Sequence, residues 1–274
     1  MDAQSHVDYL AIGHVCYDIV PDGLAVGGTV AFSGRTAQIL GCETAVISSS
    51  AAEDTWQDVL PGICLQQVVA PTTTTFENVY TSAGRVQTLH AVANKLRAQH
   101  VPVEWQRAPI VHLGPIANEI DVDVMQLFSN SMVGLTPQGW MRRWDENGRV
   151  FATHWPAAID VLPLAAAVII SEEDLLDDQM LADYRQWSHL LVMTRGPYGC
   201  TVYFGDEERT FPSPKVPVIE LTGAGDIFAT AFLVRLHQTA GNPWEAARFA
   251  NEIAAQSIQA AGLQAKMDKI KQNL

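Results

Sequence analysis

The chain has 274 residues, 48% of them apolar and 17% charged, so it can bury a substantial core, and its length suggests one large domain or two small ones. Acidic residues outnumber Lys plus Arg by 30 to 17, and the formal charge of −13 argues against binding a nucleic acid along a basic face. The longest apolar run, 161–170, is interrupted by Pro163 and falls short of the roughly 20 residues that cross a bilayer. The opening Met1-Asp2-Ala3-Gln4-Ser5-His6 lacks the basic-then-apolar build of a signal peptide, so a cytoplasmic location is expected. Cys16, Cys42, Cys64 and Cys200 form no C-x-x-C pair and read as inert thiols in a reducing compartment. No H-E-x-x-H or tight His/Cys cluster points to zinc, and His14 reads as a structural histidine more readily than a pocket-facing one.

In chain order, residues 7–15 form an apolar run typical of a buried strand, and 31–40 a helix ending at Gly41. Residues 44–49 read as a second strand and 54–60 as a short helix stopped by Pro61-Gly62. Residues 75–81 and 85–90, joined by Ser82-Ala83-Gly84, read as a half-exposed antiparallel ribbon. That ribbon (73–90) is either a lid over a site or an edge hairpin of the main sheet. Short buried strands follow at 110–113, 132–135, 168–170 and 190–194, with helical patterns at 122–128 and 175–187 between them. A second hairpin, 200–204 with 209–211, suits a sheet edge, and helices at 226–237 and 243–261 close the chain. The alternation predicts an α/β fold, a mostly parallel sheet covered by helices on both faces, as one domain spanning 1–274 with a small appendage.

The most informative segment is Glu220-Leu221-Thr222-Gly223-Ala224-Gly225-Asp226, followed by an apolar helix. A glycine turn feeding a helix start brings bare amides and the positive end of the helix dipole to one place, a site for an anion. Asp226 on the first turn would repel a phosphate ligand, yet it suits a base for a hydroxyl that attacks phosphate. On spacing alone a second reading stays open: a Thr-capped loop in which Asp226 merely complements the dipole.

This segment resembles the T-G-A-G-D signature of the ribokinase-like, PfkB-type carbohydrate kinases, and weaker motifs follow the family's order along the chain. Asp18 matches its substrate-contacting aspartate, and Gly27-Gly28 before a helix its N-terminal signature. Ser171-Glu172-Glu173-Asp174 is similar to its N-x-x-E motif, associated with magnesium. Thr194, Gly196 and Gly199 match the turn lining the nucleotide, and Asn251 the segment beside the adenine. The resemblance implies a three-layer α/β/α sandwich with a small β lid. It implies γ-phosphoryl transfer from ATP with Mg2+, Asp226 as base, and Gly223, Ala224 and Gly225 as the anion hole, with Thr222 beside the nucleotide. Asp174, through water, and Glu173 would serve the metal. No Walker-type G-x-x-x-x-G-K-[ST] occurs, and no lysine lies near the glycine turn in sequence.

Departures from the family pattern bear on specificity. Glu220 stands where Asp is common in a monovalent-cation loop, which leaves K+ activation in doubt. Phe32 replaces an asparagine that reads sugar hydroxyls, so it is either a core residue or an apolar face for the substrate. The short connection from Asp18 to Gly27 leaves little room for lid strands, so the 73–90 ribbon is expected to supply most of the cover. This compactness resembles myo-inositol kinase-like members, as does the layout of Asn118, Glu119, Gln138 and Arg142. The first three follow strand ends, where open α/β sheets bind ligands, and read either as acceptor contacts or as surface polar groups. The expectation is a sugar or cyclitol kinase, monomeric or homodimeric. The alternatives are a nucleoside kinase of the same family, a non-catalytic regulatory binder, and a donor other than ATP, such as ADP or pyrophosphate.

Overall fold

The structure, a computed structural model, describes residues 6–81 and 84–274. Residues 1–5 and the expected turn at Ser82 and Ala83 lie outside the described residues, as does the side chain of Tyr80. The strands are β1 (Tyr9–Ile12), β2 (Cys16–Val20), β3 (Gly23–Gly27), β4 (Thr44–Ala51), β5 (Cys64–Ala70), β6 (Thr75–Thr81), β7 (Gly84–Ala91) and β8 (Ile110–Leu113). They continue as β9 (Met132–Leu135), β10 (Arg142–Trp144), β11 (Val150–Ala152), β12 (Ala167–Ser171), β13 (Leu190–Thr194), β14 (Cys200–Phe204) and β15 (Glu207–Phe211). The helices are α1 (Thr29–Ile39), α2 (Ala158–Val161), α3 (Asp178–Trp187), α4 (Ala224–Gln238), α5 (Pro243–Ser257) and α6 (Leu263–Lys271).

Nine strands form the main sheet in the order β15-β14-β13-β12-β9-β8-β1-β4-β5, all pairs parallel except those of β14, which runs antiparallel to both β13 and β15. Its centre is buried on both faces, and alternation along β1 divides the core. Tyr9 and Ala11 join α1, α4 and α5 residues such as Phe32, Phe232 and Ile253 on one side. Leu10 and Ile12 pack with Val124, Phe128 and Tyr184 on the other. Three layers result. Among the described residues no helix is long and apolar enough to cross a membrane.

A separate four-stranded sheet, ordered β3-β2-β6-β7, stands off the main one. The ribbon is therefore no extension of the main sheet. The short connection between Asp18 and Gly27, expected to leave little room for lid strands, is itself a hairpin, with Cys16 opposite Gly27 and Val20 opposite Gly23. It supplies half of this small sheet and pairs in parallel with β6 through Tyr17↔Thr75 and Asp18↔Phe76. A local core of Cys16, Phe76, Leu89, Ile116 and Ala117 ties the small sheet to the loop after β8.

Local readings differ from the structure in several places. Residues 54–60 form turns instead of a helix, and 122–128 a 3-10 helix. A strand, β5, occupies 64–70, and the chain ends in a third helix, α6. In the 54–60 stretch Trp56 is 2% exposed, its indole bonded to Ser50 Oγ.

Candidate functional site

β1 is followed in the sheet by β4 on one side and β8 on the other, so the crevice beyond the carboxyl ends of β1 and β8 is a switch point of the topology. Two helix N-termini converge on it. α1 begins at Thr29, after Gly28 at φ 93°, where a Cβ would run into the His14 carbonyl. α4 begins at Ala224 after Gly223 at φ 76°. A side chain at 223 would strike the Phe32 ring as well as strain the left-handed backbone.

The link between these helix starts is a hydrogen bond from the Thr29 hydroxyl to the Asp226 carboxylate. Asp226 is half-buried, and desolvation pushes its carboxyl up to about 6, against the opposing pull of the Thr29 bond and the positive charge of Arg142. Arg142 is braced by its Nη1 donating to the Ile116 carbonyl at 3.3 Å, while Asn118 Nδ2 donates to the Arg142 carbonyl at 2.8 Å. On the small sheet Asp18 is half-buried, accepts from Asn78 Nδ2 at 3.0 Å, and passes so close to Gly27 that a Cβ there would collide with its carboxylate. Asp18, Asp226 and Arg142 all act electrostatically on the buried Cys16 thiol.

The turn departs in one respect from the expected anion hole. The Ala224 amide donates to the Leu221 carbonyl at 3.1 Å, and Ile227 N–H is the first to bond back into the helix, to Gly223 O at 2.9 Å. Gly225 and Asp226 therefore hold the first-turn amides for which a helix provides no acceptor, and Gly225 is exposed.

Other expected site residues have partners elsewhere. Glu119, expected to read acceptor hydroxyls, is 1% exposed and accepts the amides of His14, Ile116 and Ala117 at 2.7–3.1 Å, stapling the loops after β1 and β8 together. Gln138 Nε2 donates to Asp174 Oδ1 at 2.9 Å, and Asp174 Oδ2 accepts the Ser171 amide at 3.2 Å. Phe32, 3% exposed, is the floor under Gly223 and presents no face to a substrate. Asn251, 5% exposed, turns inward and donates to the Phe211 carbonyl at 3.2 Å. Gly199 makes a close pass against the Phe211 carbonyl and Ser213 amide, while Gly196 and Thr222 are exposed and Thr194 donates to Ile170 O at 3.2 Å. His14 is a satisfied structural histidine: Nε2–H donates to the Asn94 carbonyl at 2.9 Å and Nδ1 accepts from Thr74.

Two contributors escaped the sequence reading. Thr29 directly follows the Gly27-Gly28 pair, which was its available signal. Beneath the site runs a buried relay from Thr136 to His112 Nε2 (2.9 Å), His112 Nδ1 to Tyr9 Oη (2.7 Å), Tyr9 to Thr230 (3.2 Å) and Thr230 to the Asp226 carbonyl (2.9 Å). Burial pushes His112 down to about 3, so it is neutral, and every donor in the relay meets one acceptor.

Mg2+ has a sparse donor set here. Among the described residues no group of three His, Cys, Asp or Glu side chains could hold a metal, Asp174 is engaged as above, and Glu173 is exposed. Such a set suits a hydrated ion carried in by phosphates and touched by Asp174 or Glu173 through water.

Residues 160–270 match the pfkB family of carbohydrate kinases. Fructokinase-1 of Oryza sativa subsp. japonica is 36% identical over 85 residues, which is 29% of this chain and 26% of that protein, so the match spans about a quarter of the relative's length. A pyrophosphate-dependent kinase in the ribokinase family, complexed with a pyrophosphate analog and myo-inositol, superposes with TM-score 0.80 at 21% identity, over 96% of this chain and 99% of that one. Arabidopsis thaliana ribokinase, complexed with ribose and ATP, gives 0.70 at 16% identity over 97% and 99%. At those identities the superpositions show the fold. Residues 160–270 thus match the pfkB family of carbohydrate kinases, and the chain as a whole shares the ribokinase architecture.

Proposed function

We propose that the chain transfers the terminal phosphoryl group of ATP to a hydroxyl of a sugar or cyclitol. The observation that carries this is Asp226: a carboxylate with its pKa raised to about 6, fixed by Thr29 on the first turn of α4, beside the bare first-turn amides of that helix. The acceptor hydroxyl gives its proton to Asp226 as its oxygen forms the new P–O bond, and the donor's bridging P–O bond breaks. The Gly225 and Asp226 amides and the α4 dipole hold the charge that develops on the transferred group. Asp18, locked by Asn78 and Gly27, orients the acceptor, and Arg142 offsets the charges converging on Asp226. Mg2+, when bound, neutralises donor phosphates.

A pyrophosphate donor is the second reading. Asn251, expected beside an adenine, is buried and bonded to the Phe211 carbonyl, and a neighbour of TM-score 0.80 is pyrophosphate-dependent. Turnover of a panel of sugars, inositols and nucleosides with ATP or pyrophosphate, each with magnesium, tests both. Asp226→Asn should cut turnover by about 10²-fold or more while donor affinity is kept. Full activity in that variant, or no turnover by the native chain with any acceptor, overturns the proposal.

A further inference from the structure

Lysine is rare in this chain, and Lys266 is buried without any exposed side-chain surface. It lies on the inner face of α6 with Met267 and Ile270. Its ammonium donates to the Glu220 carbonyl at 2.7 Å, approaches the Ser257 carbonyl at 3.5 Å, and pairs with Glu220 Oε2 at 3.3 Å. Other bonds hold Glu220 as well: its amide and that of Ile219 donate to the Ile258 carbonyl, and its carboxylate accepts the Gly262 amide at 2.8 Å. Only two residues, Leu221 and Thr222, separate Glu220 from Gly223, so this joint sets where the phosphate-binding turn begins.

A buried charge is strongly disfavoured unless oxygen ligands surround it, and a cluster of carbonyl and carboxylate oxygens about one positive charge is what a bound monovalent ion makes. Here that charge is covalently attached. The potassium ion considered at Glu220 does not fit, because Lys266 already occupies the oxygens that would hold it. We propose that Lys266 is a positioning residue, a tethered cation that fixes Glu220 and with it the anion-binding turn, so that this chain needs no dissociable monovalent ion. The kinetic consequence rests on the phosphotransfer reading above.

The native chain should turn over at rates within about twofold in potassium, sodium or tetramethylammonium chloride at equal ionic strength, since an ion with no site shifts nothing. A rise of about tenfold or more with potassium overturns the proposal. Lys266→Met should lower kcat by about tenfold or more, the usual scale for a lost charged hydrogen bond, with acceptor KM changed less than about threefold. In Lys266→Ala, potassium or ammonium should restore turnover at least in part, and tetramethylammonium should not. Unchanged kcat in Lys266→Met, or a loss in Lys266→Ala that neither ion relieves, overturns it. Should both variants fail to fold by circular dichroism, the salt series on the native chain decides. Binding of inorganic phosphate, followed by the amide signals of Gly223 and Gly225, separates the two claims. It should weaken in Lys266→Ala and recover with potassium even if no acceptor is phosphorylated, in which case the phosphotransfer reading falls and the tether stands. Phosphate affinity independent of residue 266 overturns the tether.

Discussion

Asp226 must be ionised to take a proton, and its setting resists ionisation. Burial raises the carboxyl from its ordinary 3.8 to about 6, despite the Thr29 hydrogen bond and the Arg142 charge. Two consequences follow from the sign of that shift. In the kinase reading, kcat/KM falls on the acid side with an apparent pKa near 6, measurable in a pH profile under saturating donor. For stability, the proton-bound form contributes fully below 3.8, and that contribution is lost as pH rises through about 6. Asp226→Asn should therefore melt above the native chain at pH 8, with the gap narrowing toward pH 5; calorimetry at both values checks this. Equal melting temperatures at pH 8 would show that residue 226 is not held at a cost for function.

The start of α4 and the body of α1 make one unit. Gly223 sits in the left-handed region at φ 76°, directly over the Phe32 ring. Gly223→Ala should lose about 1–2 kcal/mol from backbone strain, with a further ~1–3 kcal/mol from overpacking against Phe32. Adding Phe32→Leu should recover part of the second loss and none of the first, which denaturant unfolding of the three variants resolves. Phe32 thus has a physical reason to be aromatic that no substrate contact requires: a flat ring closes the space under a residue that can have no side chain.

At the scale of the molecule, the two sheets differ in how they are secured. The centre of the main sheet is covered on both faces, whereas the small sheet rests on a core of five buried residues and exposes Leu24 at 60% and Val79 at 48%. Fewer buried apolar contacts mean a lower free energy of local opening. Amides of β2, β3, β6 and β7 should exchange with deuterium faster than those of β1, β8 and β12, and a bound acceptor that Asp18 and Asn78 contact should slow them. Equal protection in both sheets without ligand would show that the small sheet is not a separately opening unit and would remove it as a lid.

Residue order alone determined the layered α/β class, the edge hairpin and the glycine turn with its aspartate, because apolar periodicity and positive-φ glycine turns are local properties of consecutive residues. Only the tertiary structure decided which polar groups were left free. Glu119 is claimed by amides as far away as His14, Asn251 by the Phe211 carbonyl, and Lys266 by Glu220. The small sheet's second hairpin belongs with them: burial along β2 and β3 fades from one end to the other without alternation, so no pattern marks them, and they persist because β6 offers a paired edge. A buried hydrogen-bonding group must find a partner wherever the fold brings one, and that search runs across the chain, beyond the window in which sequence patterns have meaning.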